Sequence, residues 1–482
     1  MLTAGEAAHR SERVSGMAPE GNGGNGIDGV GCGPVTSETS RTAEATDLLQ
    51  HMIRNQCVND GTVDSGHEHR SAELLEGYLE GSGVDMETFE PEPGRTSLVA
   101  RIHGSDPTAP SLTWLGHTDV VPANSDDWRH DPFGGELIDG VVWGRGAIDM
   151  LNLTATMATG MRHLGASGFR PAGDLTYIAV ADEEALSTYG ARWLCQHAAD
   201  EVRADYVITE SGGFPMGGAD GTPRLPVIVA EKGVFWCVLT VTGTPGHGSQ
   251  PLRTDNALVK AAEVVRRIDE YRPQAQLHEA WTRFIEGIGF PPDLAEPLLD
   301  PDRIDQFCDE LPILGLARQA HACTHTTLAP TVMRAGTKIN MIPDRVELEV
   351  DIRSLPGWDT ADVRAMLEEV IGDLADDVEI AFRSEQPSTT SPMDTPLWDA
   401  LERVSQVFYP GARTVPFLTA GATDARYYRL LGSVAYGFGL HSRAIGFEEY
   451  GMMFHGIDER VDVESLRLST EMWIALAHDF LV

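Results

Sequence analysis

LTWLGHTDVVP, residues Leu112 to Pro122, changes character half-way along. Its first half, Leu112-Thr113-Trp114-Leu115, is a short apolar run bounded by Gly116, the pattern of a buried strand. The run then breaks into His117-Thr118-Asp119. In an open α/β sheet, side chains just past the carboxyl ends of strands point into a crevice rather than a core. His117 and Asp119, at i and i+2, point roughly the same way, so one suits a metal ion while the other fixes its ring. A lone His at a strand end is more commonly a hydrogen-bonded structural residue. The pattern gains weight only if other strands end the same way.

They do. Trp143-Gly144-Arg145-Gly146-Ala147-Ile148-Asp149 places glycines around a carboxylate just before a helix with Leu153, Met157, Met161 and Leu164 on one face. The apolar run Leu175 to Val180 ends in Asp182-Glu183-Glu184, and Tyr206-Val207-Ile208-Thr209 ends in Glu210. Met453-Phe454-His455 adds a second imidazole. His117, Asp149, Glu184, Glu210 and His455, with no Cys among them, suit a pair of zinc ions, with Mn or Co as alternatives, better than calcium or magnesium. Glu183, beside a ligand, fits a general base acting on metal-bound water. His67-Glu68-His69, by contrast, has neither the i, i+4 spacing of a zincin helix nor a strand end, and reads as a solvated helix start.

The chain has 482 residues, more than one core usually holds, so two or more domains are expected. A formal charge of −37 argues against nucleic acid and anionic membrane surfaces as partners. Six scattered cysteines without a CxxC pair read as reduced thiols. No apolar segment has the look of a secretory signal or a bilayer span, so a cytoplasmic location is expected. Residues 1–43, rich in Gly, Ser, Glu and Thr, read as a disordered tail, with order starting near Thr42.

Beyond Val234 the pattern changes. Strand 234–242, helix 255–270, strands 327–334 and 345–353, helix 360–372 and strand 378–383 read βαββαβ, a ferredoxin-like split unit. It would be a domain over 234–385, inserted between the first (44–233) and second (386–482) parts of the domain carrying the ligands. Its first helix and second strand are separated by an excursion from Arg272 to Thr324, long enough to be functional or to carry its own structure.

These motifs, in this order, resemble the M20 family of metallopeptidases, the aminoacylase, carboxypeptidase and dipeptidase group. The resemblance implies an α/β mixed-sheet zinc-peptidase catalytic domain with an inserted ferredoxin-like βαββαβ lid domain. It implies that His117 and Glu210 bind one metal and Glu184 and His455 the other, with Asp149 bridging, Asp119 orienting His117, and Glu183 the base. Glu210 is similar to the aminoacylase side of the family, where other members have Asp. Gly246-His247-Gly248-Ser249-Gln250-Pro251 resembles the lid motif whose His stabilises an oxyanion, often across a dimer; Asn340 and Arg353 match positions holding the substrate's carboxylate. Gly421-Ala422-Thr423-Asp424 resembles a further active-site loop. Where many members continue Lys-Gly-Gly after the bridging Asp, this chain has Met150-Leu151-Asn152-Leu153, and the resemblance implies a cis Asp149-Met150 bond. The implied function is hydrolysis of an amide or peptide bond beside a free carboxylate, in an N-acyl amino acid or dipeptide, by metal-bound hydroxide. The implied assembly is a homodimer through the lid. The rival reading is a metal-free binding or regulatory protein on the same fold.

Overall fold

A computed structural model describes the chain from Ser37 to Val482, apart from the side chain of Glu448. The expected disordered tail lies mostly outside the described residues, as does Cys32. Its inner boundary is corrected: a helix already runs over Glu38–Asn55. Ser37 caps it through a hydrogen bond from Ser40 N, and Arg41 clamps Glu471 at 2.8 and 2.7 Å, so these residues have the partners that composition alone did not show.

The chain divides into two compact units, one built from residues up to Val227 with Pro392–Val415 and Thr423–Val482, the other from Ile228–Ser391 with Pro416–Ala422.

The first unit is organised on a mixed sheet whose strands run in the order Asp85–Phe89, Ser97–Ile102, Leu175–Val180, Leu112–His117, Tyr206–Thr209 and Val434–Gly437. The first two are antiparallel to their neighbours, and the remaining pairs are parallel. Parallel pairing matters for position. His117 stands opposite Val180, and Trp114 opposite Ile208, so the residues following these strands emerge along one edge of the sheet. Strands Leu112–His117 and Leu175–Val180 are buried along their whole length, which explains their unbroken apolar reading. The helix Leu151–Ala166 packs on them and is buried on nearly all sides, not on one face as the spacing suggested, because Glu38–Asn55 and Val463–Phe480 cover it. Trp114 and Trp473 meet at 5.6 Å within this packing.

The second unit contains a four-stranded antiparallel sheet in the order Thr327–Ala335, Arg345–Ser354, Gly233–Thr242, Val378–Gln386. Helices Ala257–Glu270 and Thr360–Ile371 fall between them in sequence, giving βαββαβ with spatial order 2-3-1-4. Phe235, Leu239, Leu348, Val350 and Ile352 pack against Val264, Ile268, Val363 and Leu367. The excursion after the first helix forms four short helices, Glu279–Ile288, Pro292–Leu298, Ile304–Glu310 and Leu314–Thr324. Buried Trp281 ties two of them together by donating to Leu298 O at 2.8 Å. Among the described residues no helix is long and apolar enough to cross a membrane, and the five described cysteines are all free thiols.

Candidate active site

Along the edge where the parallel strands end, His117, Asp149, Glu183, Glu184, Glu210 and His455 converge. His117 offers a ligand atom to two groups: one with Asp149 and Glu184, one with Glu183 and Glu210, all atoms of each within 4.8 Å of one another. Asp149 faces two ways. Its Oδ1 is 3.2 Å from His117 Nε2, and its Oδ2 is 3.2 Å from His455 Nε2, which also lies 3.1 Å from Glu184 Oε2. A carboxylate with one oxygen toward each imidazole is disposed to bridge two cations.

Two loops set this geometry. The Asp149-Met150 peptide bond is cis, as the resemblance to the M20 family implies. Buried Glu459 grips the preceding turn, accepting from Arg145 Nη1 (2.9 Å), Gly146 N (2.9 Å), Ile148 N (2.7 Å) and Asp149 N (2.9 Å). Asp182, with φ of 66°, starts the turn that presents Glu183 and Glu184, and its carboxylate is held by Arg95 at 2.9 Å and Asn59 at 3.0 Å.

Asp119 departs from the expected part. His117 Nδ1 donates to the main-chain oxygen of Asp119 at 2.9 Å, whereas the Asp119 carboxylate stands 3.6 Å from that nitrogen. The carboxylate instead accepts from Glu183 N (3.2 Å), Glu184 N (3.1 Å) and Asn59 (2.9 Å). Asp119 thus positions the ring through its backbone and the Glu183-Glu184 turn through its side chain. His67-Glu68-His69 is also corrected: Glu68 is not solvated but buried, 2.6 Å from Arg95 Nη1. No local signal marks Glu68, Asn59 or Arg95, because their partners lie far away in sequence. Glu459 carried only the clue of standing four residues after His455.

Electrostatics mark the cluster as short of positive charge. Burial, then the charge of Glu210, pushes the Glu183 carboxyl well above its usual range; burial and then Asp149 do the same to Glu210. Asp424, whose carboxylate takes the Ser187 hydroxyl, is pushed by burial to about 7. Burial pulls His117 down, but the Asp149 hydrogen bond and the charges of Glu183, Glu210 and Asp119 outweigh it and hold the imidazole well above its ordinary value. Glu184 Oε1 is buried without a hydrogen-bond partner. Two imidazoles, several carboxylates, no thiolate and an orphaned buried oxygen make a donor set that fits two divalent cations of the zinc class.

The sequence profile described as Peptidase family M20/M25/M40 matches residues 114–479. The chain belongs to that family. Among the relatives of this M20 chain is the N-fatty-acyl-amino acid synthase/hydrolase PM20D1 of Xenopus tropicalis, 27% identical over 403 residues, covering 80% of this chain and 75% of that one. Human aminoacylase-1 is 27% identical over 387 residues, covering 79% and 82%. The M20 family metallo-carboxypeptidase Sso-CP2 from Sulfolobus solfataricus shares the fold, with a TM-score of 0.70 at 17% identity over 91% of this chain and 99% of that one. The M20 family is one of metal-dependent hydrolases, and nothing in the site favours the metal-free rival.

The three remaining sequence candidates lie in the second unit. His247 pairs with Met341, and Gly248 N donates to Asn340 O at 2.9 Å, so His247 and Asn340 are neighbours. Arg353 is not with them. It pairs with Val234, whereas Thr242, near the His247 end, pairs with Arg345. Eight strand residues separate the two ends, roughly 26 Å at 3.3 Å per residue. The Arg353 guanidinium holds Asp351 at 2.8 Å.

Proposed function

We propose that this chain hydrolyses an amide or peptide bond next to a free carboxylate, in an N-acyl amino acid or short peptide. The observation that carries the reading is the two-faced Asp149, flanked by His117 on one side and by Glu184 and His455 on the other, with Glu183 alongside. Two divalent cations, when bound, polarise the scissile carbonyl and acidify water. His117 and Glu210 would hold one, Glu184 and His455 the other, with Asp149 between them. Glu183 takes the proton from the attacking water on its carboxylate oxygen and passes it to the nitrogen of the leaving amine. In the cation-free site burial and neighbouring carboxylates raise its proton affinity, which favours the uptake half of that task. Asp119 and Asn59 keep the Glu183 turn in place.

A panel of N-acyl amino acids and dipeptides with zinc, manganese or cobalt, read by release of free amine, tests the class. In Glu183→Ala, the bound metal is expected to be unchanged while kcat falls by about 10²- to 10⁴-fold. Near-normal turnover in that variant would remove Glu183 from the chemistry.

His247, Asn340 and Arg353 are proposed to bind substrate, His247 stabilising the oxyanion and Arg353 taking the carboxylate in two parallel bonds. The distance along the sheet between His247 and Arg353 supports a division of labour in which His247 and Asn340 serve the site of a second copy of the chain. Mixing Glu183→Ala with His247→Ala, each inactive alone, is then expected to restore measurable hydrolysis. No recovery after the two are refolded together would confine all the residues to one chain.

A further inference from the structure

Outside the active site, the excursion in the second unit gathers Asp305, His321 and His325, each offering a ligand atom within 4.8 Å of the others. Asp305 lies on Ile304–Glu310, His321 on Leu314–Thr324, and His325 caps the latter helix, so the three side chains link two short helices. His321 and His325, one helical turn apart, stack with ring centroids at 4.2 Å and planes 9° apart. That brings their nitrogens side by side.

The hydrogen bonding of His325 fixes what its ring can do. Nδ1 lies 3.1 Å from the main-chain oxygen of His321. A carbonyl oxygen only accepts, so Nδ1 carries the proton and, in the neutral ring, Nε2 holds the lone pair. That Nε2 is buried and stands 2.8 Å from Asp305 Oδ1, the distance of a His–carboxylate pair. A neutral imidazole lone pair and a carboxylate this close need a cation between them, a proton or a metal ion. Zinc-class ligands sit about 2.0–2.2 Å from the ion, which sets neighbouring donors on one ion roughly 2.8–3.4 Å apart. The pair is spaced accordingly. The Lys232 ammonium lies nearby, its Nζ donating to the main-chain oxygen of His325 and to the Thr327 hydroxyl.

We propose that Asp305, His321 and His325 form a divalent transition-metal site, separate from the active site and independent of the reading given to it. Two imidazoles and a carboxylate favour zinc, cobalt or nickel over magnesium or calcium. Asp305 is half exposed, so water completes the coordination on that side. Bound there, the ion clips Ile304–Glu310 to Leu314–Thr324 and stiffens the excursion.

The test uses the full chain, stripped with chelator and re-equilibrated with zinc alone. Asp305→Asn, at a half-exposed position, and His321→Ala are each expected to carry one bound zinc fewer per chain than wild type, with hydrolysis at saturating zinc unchanged. Zinc is also expected to slow amide hydrogen exchange over 304–325 in wild type and in His117→Ala, but not in Asp305→Asn. Equal zinc counts in wild type and both variants, or equal slowing in wild type and Asp305→Asn, overturn the site and leave the three residues as a structural His–carboxylate cluster.

Discussion

Glu459 touches no proposed ligand atom, yet it accepts four hydrogen bonds from the segment that delivers Asp149, three of them from backbone N–H groups. Burial pushes it up to about 7, against the pull of Arg145. Replacing it by Ala leaves those buried donors without a partner and frees the Asp149 turn. Groups that orient metal ligands commonly contribute about 10- to 100-fold to metal affinity. Glu459→Ala is expected to weaken zinc binding in that range, measured by competition with a chromogenic chelator, while Glu449→Ala, at an exposed position, leaves it unchanged. The residues beneath the site were the least legible in the sequence. Asn59, Glu68, Arg95 and Asp182 bond across separations of 27 to 123 positions, and no window of sequence contains such a pattern. The direct metal-site candidates were legible because each follows an apolar run or a glycine-rich turn.

At the scale of elements, the strand Leu112–His117 and the helix Leu151–Ala166 approach closely at Gly116. A Cβ there would stand 2.5 Å from Thr154 Oγ1, the hydroxyl that donates to His117 O at 2.8 Å. Gly116→Ala is expected to destabilise the protein by about 1–3 kcal/mol, the usual cost of overpacking, in a denaturant titration. Because Thr154 must move, the same variant is expected to lose zinc affinity. A neutral result would mean that helix and strand part more easily than their burial implies. Most elements were readable where periodicity is clean: Leu175–Val180, Tyr206–Thr209 and Arg345–Ser354 occur within a residue of their expected bounds. Pro223–Glu231 was missed. It is buried at all nine positions and so shows no alternation, and Pro223, Arg224 and Pro226 argue against a strand in local terms. The short helices Ala191–His197, Ala425–Leu430 and Phe447–Met453 are too brief to show a period.

At the scale of the molecule, the buried acids and bases set how the metal-free protein responds to pH. Glu183, Glu184 and Glu210 are raised, Asp424 and Glu459 reach about 7, and His455 about 10. Each keeps its proton to a higher pH in the folded chain than in the unfolded one. The stability these groups confer is therefore complete below their unfolded values and is lost as pH rises through the folded ones. Asp149, held below its usual range, acts in the opposite sense but alone among the site carboxylates. His441, buried against Phe214 and pushed down to about 3, sets the acid limb, since its stability is lost as pH falls from the unfolded value toward the folded one. Chelator-treated protein is expected to have its highest Tm at about pH 4–5, to lose stability from there to about pH 7 as the raised carboxylates are forced to ionise, and to lose more toward about pH 10 through His455. Zinc is expected to restore it most at the upper end, where the carboxylates are ionised. Thermal scans across pH, with and without zinc, check this; a Tm that climbs through pH 8 in chelator contradicts it.

His455 and Glu459 are separated from His117 by most of the chain, yet Asp149 depends on both of them. During synthesis a ribosome releases His117, Asp149, Glu184 and Glu210 long before it reaches the segment that closes the cluster. A nascent polypeptide carries those four residues without the late partners of Asp149 until the segment around His455 has left the exit tunnel. Translation order therefore withholds the proposed site until His455 and Glu459 have emerged.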